Sequence, residues 1–239
     1  MPNPALSANV ALLIDADNAT PSSIDPVLTV LAELGTVNIR RAYGNWSKPG
    51  LKGWADIIHR HGIEPQQQFD ITKGKNATDM KMTIDAMDLL SSGRVTGFGI
   101  MSSDSDFMPL AVRIKQDGLP VYGFGSSKAP EPFQNACSRF IDTTALTATL
   151  ASAPAEAARE AKRPIDTALR TLLGEAYEAV RHDEHGFATL SSLGQHASNR
   201  SSFDARNYGY KRLSDLIAAI PGFVVERREG GAVYVKRID

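Results

Sequence analysis

Acidic and amide side chains follow the first apolar stretch of the sequence. Asp15 and Asn18 come directly after residues 10–14, which are all apolar. Short apolar runs bounded by turn residues are typical of buried parallel strands. Open α/β sheets bind ligands in the crevice at the carboxyl ends of their strands. Because side chains alternate along a strand, only one of Asp15 and Asp17 can point squarely into such a crevice, and the role of Asp17 stays open.

Three further acids follow the same logic. Asp104 and Asp106 come after the apolar residues 98–101, and Asp79 opens a predicted helix. If these segments converge on Asp15, four or five carboxylates crowd one pocket, which is unfavourable unless a cation neutralises them. Oxygen ligands with little His or Cys favour Mg²⁺ or Mn²⁺. We therefore predict a divalent-metal site.

Such a pocket suits the cleavage of phosphodiesters. A bound divalent ion can activate water, stabilise the charge of the transition state and assist the leaving oxygen. No histidine is then needed as a base, in agreement with the absence of His from the clusters. Asn18 could hydrogen-bond a phosphate or orient a metal-bound water.

Each acid also has a structural explanation. Asp15, Asp17 and Asn18 could form turns, and Asp104 could cap a helix that Asp106 then favours through its charge. Asp79 could be an ordinary acid in the first turn of a helix. On the same helix, Asp85 is the better second candidate for the pocket, and Asp88 resembles a solvated helix position.

The elements that must hold these residues alternate in type. Residues 10–142 switch between strand-like and helix-like stretches, which predicts βαβ units and a doubly wound, mainly parallel α/β sheet. The predicted strands cover residues 10–14, 36–43, 63–69, 95–101, 119–124 and 139–141. The predicted helices begin at residues 20, 52, 79 and 106, with Thr20 as the cap of the first and residue 60 as the end of the second.

The remainder predicts a linker and a second, smaller α+β domain. Residues 147–163 are Ala-rich and contain Pro154, which indicates a linker that is helical in part at most. Helical periodicity covers residues 165–180, 187–196 and 208–220. Two apolar stretches around Gly230-Gly231 predict a β-hairpin. We thus expect domains at residues 8–146 and 164–239, the latter with the outline of a winged helix.

Basic and aromatic residues near both predicted sites could contact a nucleic acid. Trp46 could instead pin its loop, and the basic loop before Asp79 could be plain surface. The second domain carries eleven Lys and Arg against ten Asp and Glu from Arg163 onward, so any basic surface on it is local and a protein partner is a serious alternative. The candidates are Trp46, Lys48, Lys73, Lys75, Arg206, Tyr208, Tyr210, Lys211 and Arg212.

The composition and the N-terminal residues bear on the expected location of the protein in the cell. The net charge of −1 gives no global basic character, and the single cysteine, Cys137, excludes an intrachain disulfide and an all-cysteine metal site. The first ten residues lack the features of a signal peptide, and no run approaches the length of a membrane span. We therefore expect a cytoplasmic protein without a membrane segment.

Residues 10–144 resemble the NYN domain, a branch of the PIN-like ribonuclease fold. The matching stretches are residues 13–18, 75–79 and 101–107. The resemblance implies a ribonuclease dependent on Mg²⁺ or Mn²⁺, with Asp15, Asp79, Asp104 and Asp106 as metal ligands and Asn18 as a polar partner. Asp17 is not a fixed feature of the NYN pattern.

Residues 165–236 resemble the LOTUS, or OST-HTH, domain. The likeness lies in residues 208–217 and in the Pro-Gly-Phe turn at residues 221–223. It implies an RNA-binding appendage, although some members of this family bind proteins instead.

Two other functions are compatible with the sequence. The Asp15-Ala-Asp17 motif resembles the start of a haloacid-dehalogenase phosphatase, but Ala19 stands where that motif has Thr or Val. A regulator that binds RNA without cleaving it, or acts as a scaffold, is the non-enzymatic alternative, because the fold alone does not decide activity.

Overall fold

The computed structural model describes residues 8–69, 76–150, 164–228 and 231–238. The chain divides into two units, Met1–Thr147 and Ala148–Asp239. Within the described ranges, none of the helices combines the length and hydropathy needed to cross a membrane.

The first unit is built on six parallel strands in the order β3-β2-β1-β4-β5-β6. The chain builds the sheet outward from β1 to β3 and then returns to place β4 on the other side of β1. The carboxyl ends of β1 and β4 therefore flank the point where the strand order reverses, which is where such sheets bind ligands. The strands are β1 (Asn9–Asp15), β2 (Thr36–Gly44), β3 (Glu64–Gln67), β4 (Gly97–Met101), β5 (Val121–Gly125) and β6 (Arg139–Asp142).

Helices cover both faces of this sheet. Along β1 the side chains alternate, so that Ala11 and Leu13 join one apolar cluster while Leu12 and Ile14 join the other. The first cluster includes residues of the third, fourth and fifth helices, and the second includes residues of the first, second and sixth. The helices are α1 (Ile24–Ala32), α2 (Lys52–Ala55), α3 (Ala77–Ser91), α4 (Met108–Gln116), α5 (Glu131–Ala136) and α6 (Thr143–Leu150). The predicted doubly wound parallel α/β sheet is confirmed.

Three local predictions differ from the structure. Thr20 makes no side-chain capping bond, and a 3-10 turn (Pro21–Ser23) precedes α1. The helix expected to reach residue 60 ends at Ala55, because the chain then folds into turns, and Ile57-Ile58 is β-branched and disfavours helix. Helix α5 was not predicted: Pro132 lies in its first turn, where proline is tolerated.

The described residues from 164 onward form three α-helices and a three-stranded antiparallel sheet. The elements of this second unit are α7 (Thr167–Glu178), β7 (Ala188–Thr189), α8 (Leu190–Arg200), α9 (Leu213–Ala218), β8 (Phe223–Arg227) and β9 (Val233–Arg237). The predicted hairpin is the β8–β9 pair, and β7 adds to its other edge. The third helix is shorter than predicted, because residues Ala205–Tyr208 form a separate 3-10 turn that ends at Gly209 with φ of +83°. Helix α6 also occupies the first residues of the predicted linker, and residues 151–163 lie outside the described chain.

Candidate active site

Asp15 is buried at the carboxyl end of β1, with no exposed surface. Its Oδ2 accepts hydrogen bonds from the Ser102 hydroxyl at 2.7 Å and from the Asn18 amide at 2.9 Å, and its Oδ1 accepts from the Asn18 backbone N–H at 3.2 Å. Burial raises the pKa of Asp15, while the bonds from Ser102 and Asn18 act in the opposite direction. The carboxylate is therefore fixed in place by its neighbours.

Ser102 links the two strand ends. It follows β4 directly and is 1% exposed. Its hydroxyl donates to Asp15 and accepts the backbone N–H of Asp104 at 3.0 Å. Ser102 therefore connects Asp15 to the loop that carries the second acidic pair.

Asp104 and Asp106 lie in the turn between β4 and α4. Asp104 caps the 3-10 turn Ser105–Phe107, since its side chain accepts the backbone N–H of Asp106 at 2.9 Å. The side chain of Asp106 accepts a hydrogen bond from the Asn76 amide. The capping explanation is thus realised for Asp104, but it uses one carboxylate oxygen and leaves the second for other contacts.

Asp79, Asp104 and Asp106 form a compact acidic group. One carboxylate oxygen from each lies within 4.8 Å of the other two. Asp79 projects from the first turn of α3. Burial, together with the negative charges of Asp15, Asp104, Asp106 and Asp17, raises its pKa to about 6. This mutual repulsion is what a divalent cation would relieve.

Asp17 and Asp85, the two acids whose roles the sequence left open, have protein partners. Asp17 lies 3.9 Å from the Lys48 ammonium and 3.4 Å from the Thr78 hydroxyl. Asp85 is buried and bonds to Lys81 at 2.7 Å and to Tyr43 at 3.1 Å, with Arg41 at 3.5 Å. Asp85 is therefore neutralised from within the fold, which favours a structural role.

Sequence reasoning missed Asn76 as part of the site. Asn76 precedes α3 but makes no capping bond with its side chain, which donates to Asp106 instead. An Asn directly before a helix suggests an N-cap, so the sequence position of Asn76 predicts a capping role and not a contact with Asp106.

The candidate RNA-contacting residues of the first unit differ in their surroundings. Trp46 is partly buried, and its indole N–H donates to the Gln66 carbonyl at 3.1 Å, which supports the loop-pinning alternative. Lys48 is exposed beside Asp17. Lys73 and Lys75 lie outside the described residues.

The candidates of the second unit fall into two groups. The Arg206 side chain is 15% exposed and its guanidinium pairs with Asp204 at 3.0 Å, so its charge is already matched. Tyr208 and Tyr210 are partly buried against the core of the unit. Lys211 and Arg212 are exposed just before α9 and are better placed to meet a ligand.

One solved structure and one curated protein are similar to part of this chain. A protein of unknown function from Vibrio parahaemolyticus matches with a TM-score of 0.50 and 19% identity, covering 59% of this chain and 95% of that one. An uncharacterized protein from Methanocaldococcus jannaschii is 28% identical over 122 residues, which are 49% of this chain and 47% of that protein. The matched segment thus spans about half of the archaeal relative, and the Vibrio structure supports the fold alone.

Family models match most of the chain. The OST-HTH/LOTUS domain matches residues 162–235, which include the second unit's helices and most of its sheet. The NYN domain matches residues 9–148, the whole of the six-stranded sheet and the acidic group at its carboxyl edge. The chain therefore belongs to the NYN domain family and carries an OST-HTH/LOTUS domain after it.

Proposed function

We propose that this protein is a ribonuclease that needs a divalent metal ion, Mg²⁺ or Mn²⁺. The observation that carries the proposal is the compact group of Asp79, Asp104 and Asp106 at the point where the strand order reverses. The NYN family belongs to the PIN-like nuclease superfamily, and its match covers all of these residues.

The donor set fits a hard divalent cation. Each ligand would be a carboxylate oxygen, as Mg²⁺ and Mn²⁺ prefer. When bound, the ion would supply an activated water and stabilise negative charge on the phosphate and the leaving oxygen. Asp79, Asp104 and Asp106 would hold it directly.

Asp15 is not one of the three acids of the compact group, but its charge acts on Asp79, and it would add a fourth carboxylate to the site. Its bonds from Ser102 and Asn18 hold one orientation of the carboxylate and favour its charged form. Asn18 would thereby act as a positioning residue through Asp15. Asn76 would do the same for Asp106.

The second unit would supply further RNA contacts. Its OST-HTH/LOTUS match favours RNA as the ligand. Lys211 and Arg212 are exposed and would contact phosphates, which carry affinity but little sequence information. A protein partner bound through this unit is the alternative.

A cleavage assay with a matched pair of variants tests the proposal. Mixed single-stranded and stem-loop RNAs are incubated with the full chain in Mn²⁺, in Mg²⁺ and in chelator. Asp79→Asn should lower the rate at least ~100-fold, because it removes a ligand and a charge from the site. Asp88→Asn, on the exposed face of the same helix, should leave it unchanged.

The outcomes separate the alternatives. Cleavage that persists in chelator and in Asp79→Asn indicates a contaminating nuclease. Tight RNA binding without turnover in either metal, at protein well above substrate, supports a regulator that does not cleave. Trapping of a beryllofluoride phosphate mimic on Asp15 would support the phosphatase alternative, whose mechanism forms an aspartyl-phosphate.

A further inference from the structure

A hollow of about 450 Å³ opens between α3 and the start of α4. Asp79 and Asp106 belong both to its lining and to the acidic group. The hollow is therefore continuous with the candidate metal site, and a phosphate bound there would have its attached nucleoside within reach of this space.

The wall of the hollow is apolar. Met80, Ile84 and Met108 line it and are 65%, 54% and 39% exposed. Met80 and Ile84 are four residues apart and share one face of α3. The core-facing side of the same helix is formed by other residues, Met82, Ala86 and Leu89. Helix α3 is thus apolar on two faces, and within the described part of the chain the face of Met80 and Ile84 is exposed while the other packs in the core.

We propose that this hollow binds the nucleobase of an unpaired RNA nucleotide next to the phosphate at the acidic group. The inference rests on the proposed ribonuclease function and adds a subsite for a base beside the acidic group. A base has two flat apolar faces, which Met80, Ile84 and Met108 would contact. Thioether side chains are flexible and polarizable, so they adapt to bases of different size.

Polar groups stand around this apolar wall. Asn76, Thr83 and Ser105 also line the hollow and could hydrogen-bond the edge of a base. The same combination of apolar wall and few polar groups is typical of small-ligand sites, which span roughly 300–1,000 Å³. A base within a duplex has its faces covered by its stacked neighbours, so only an unpaired base could enter.

The size of the hollow favours a base over a second protein chain. Nine residues line it, whereas a stable protein interface uses roughly 20–30 residues on each side. The acidic residues of the lining would also repel a negatively charged partner. An RNA phosphate would avoid this repulsion, because a metal ion would be bound between the phosphate and the acidic residues.

Photocrosslinking tests this inference in the full chain. A 12-nucleotide oligouridylate with one 4-thiouridine is irradiated with the protein in Ca²⁺, and the crosslinked peptides are mapped. The positions of the crosslinks in the sequence are mapped because the second unit is expected to contact RNA as well. Crosslinks should fall within α3 or the first turn of α4. Unlabelled oligouridylate should compete for them about tenfold better than an abasic 12-mer of equal charge.

Two variants complete the experiment. Met80→Ser combined with Ile84→Ser should lower the α3 crosslink yield about tenfold. Ile238→Ser, a matched loss of an exposed apolar residue in the second unit, should not change it. If the double variant unfolds, the competition between the two oligonucleotides with the unaltered chain still decides.

The results distinguish this inference from the proposed function. Equal competition by the abasic 12-mer, crosslinks elsewhere, or a dimer that the double variant dissociates would overturn the base site. Metal-dependent cleavage could still stand in those cases. If crosslinks at α3 depend on the presence of bases but no RNA is cleaved, the base site is supported and the ribonuclease proposal is rejected.

Discussion

At the level of single residues, the site depends on how one buried carboxylate is held. Asp15 and Asp142 both end a strand and are both buried. Asp142 caps the next helix through the Thr144 backbone N–H at 2.8 Å, whereas Asp15 is bonded by Ser102 from the neighbouring strand. The sequence alone cannot separate these two roles, because the partner of Asp15 is 87 residues away.

Ser102→Ala tests this link. The substitution removes a donor to Asp15 and an acceptor for the Asp104 N–H, so it leaves buried polar groups without partners. We expect the free energy of unfolding to fall by about 1–3 kcal/mol and metal-dependent cleavage to weaken. Urea denaturation measures the first effect. Ser91→Ala, at an exposed position, serves as the control, and an equal loss in both variants would rule out a special role for Ser102.

The raised pKa of Asp79 predicts a pH dependence of stability. Its folded pKa of about 6 exceeds the ordinary value of 3.8, so between these values the folded state binds more protons than the unfolded state. In chelator, the free energy of unfolding should therefore fall as the pH rises from about 4 to about 6. Solvent screening of this half-exposed group limits the change to about 1 kcal/mol.

Asp79→Asn isolates that contribution. The variant cannot ionise at this position, so its stability at pH 7 in chelator should exceed that of the unaltered protein, and the difference should vanish near pH 4. Unfolding curves of both proteins across pH 4–7 provide the measurement. A difference that is constant with pH would mean that Asp79 does not titrate in this range.

At the level of secondary structure elements, close approach of neighbouring strands positions the acidic loop. A Cβ on Gly125, the last residue of β5, would lie 2.5 Å from the Ser102 carbonyl oxygen and 3.1 Å from the Ser103 hydroxyl. The absence of a side chain there lets β5 pack directly against the loop after β4. The sequence shows the glycine but not what it touches.

Gly125→Ala should therefore displace the loop that carries Asp104. We expect a loss of about 1–3 kcal/mol in stability from overpacking and a weaker metal site. Thermal unfolding with and without Mn²⁺ measures both. Gly50→Ala is the control, because a Cβ at Gly50 meets no atom within 4 Å. Should Gly125→Ala retain the full stabilisation by Mn²⁺, the loop does not depend on this contact.

The elements that the sequence predicted well are those with local patterns. Apolar runs predicted β1, β4 and β5, because buried parallel strands are nearly continuously apolar, whereas β3 is a polar strand at the edge of the sheet. Helix α5 was missed and α2 was extended too far, since proline placement and tertiary turns override local propensity there. The convergence of Asp79 with Asp104 and Asp106 could only be stated as a condition, because the alternation of elements does not by itself fix the strand order or the position of α3.

At the level of the whole molecule, the two units have separate hydrophobic cores. The clusters that cover the parallel sheet contain residues of the first unit, while a third cluster is formed within the second. The candidate acidic group lies entirely in the first unit, and the exposed Lys211 and Arg212 lie in the second. The chemical step is thus expected in the first unit, while the second unit is expected to add phosphate contacts to the RNA.

Deletion of residues 164–239 tests this division. Because the acidic group and its supporting bonds remain, the turnover rate at saturating RNA should change less than threefold. KM should rise by roughly tenfold, since the deletion removes phosphate contacts that bind substrate and transition state equally. Lys211→Ala with Arg212→Ala in the full chain should reproduce part of this rise, and high salt should lessen the difference between the proteins. A fall in turnover with an unchanged KM would instead mean that the second unit contributes to the chemical step.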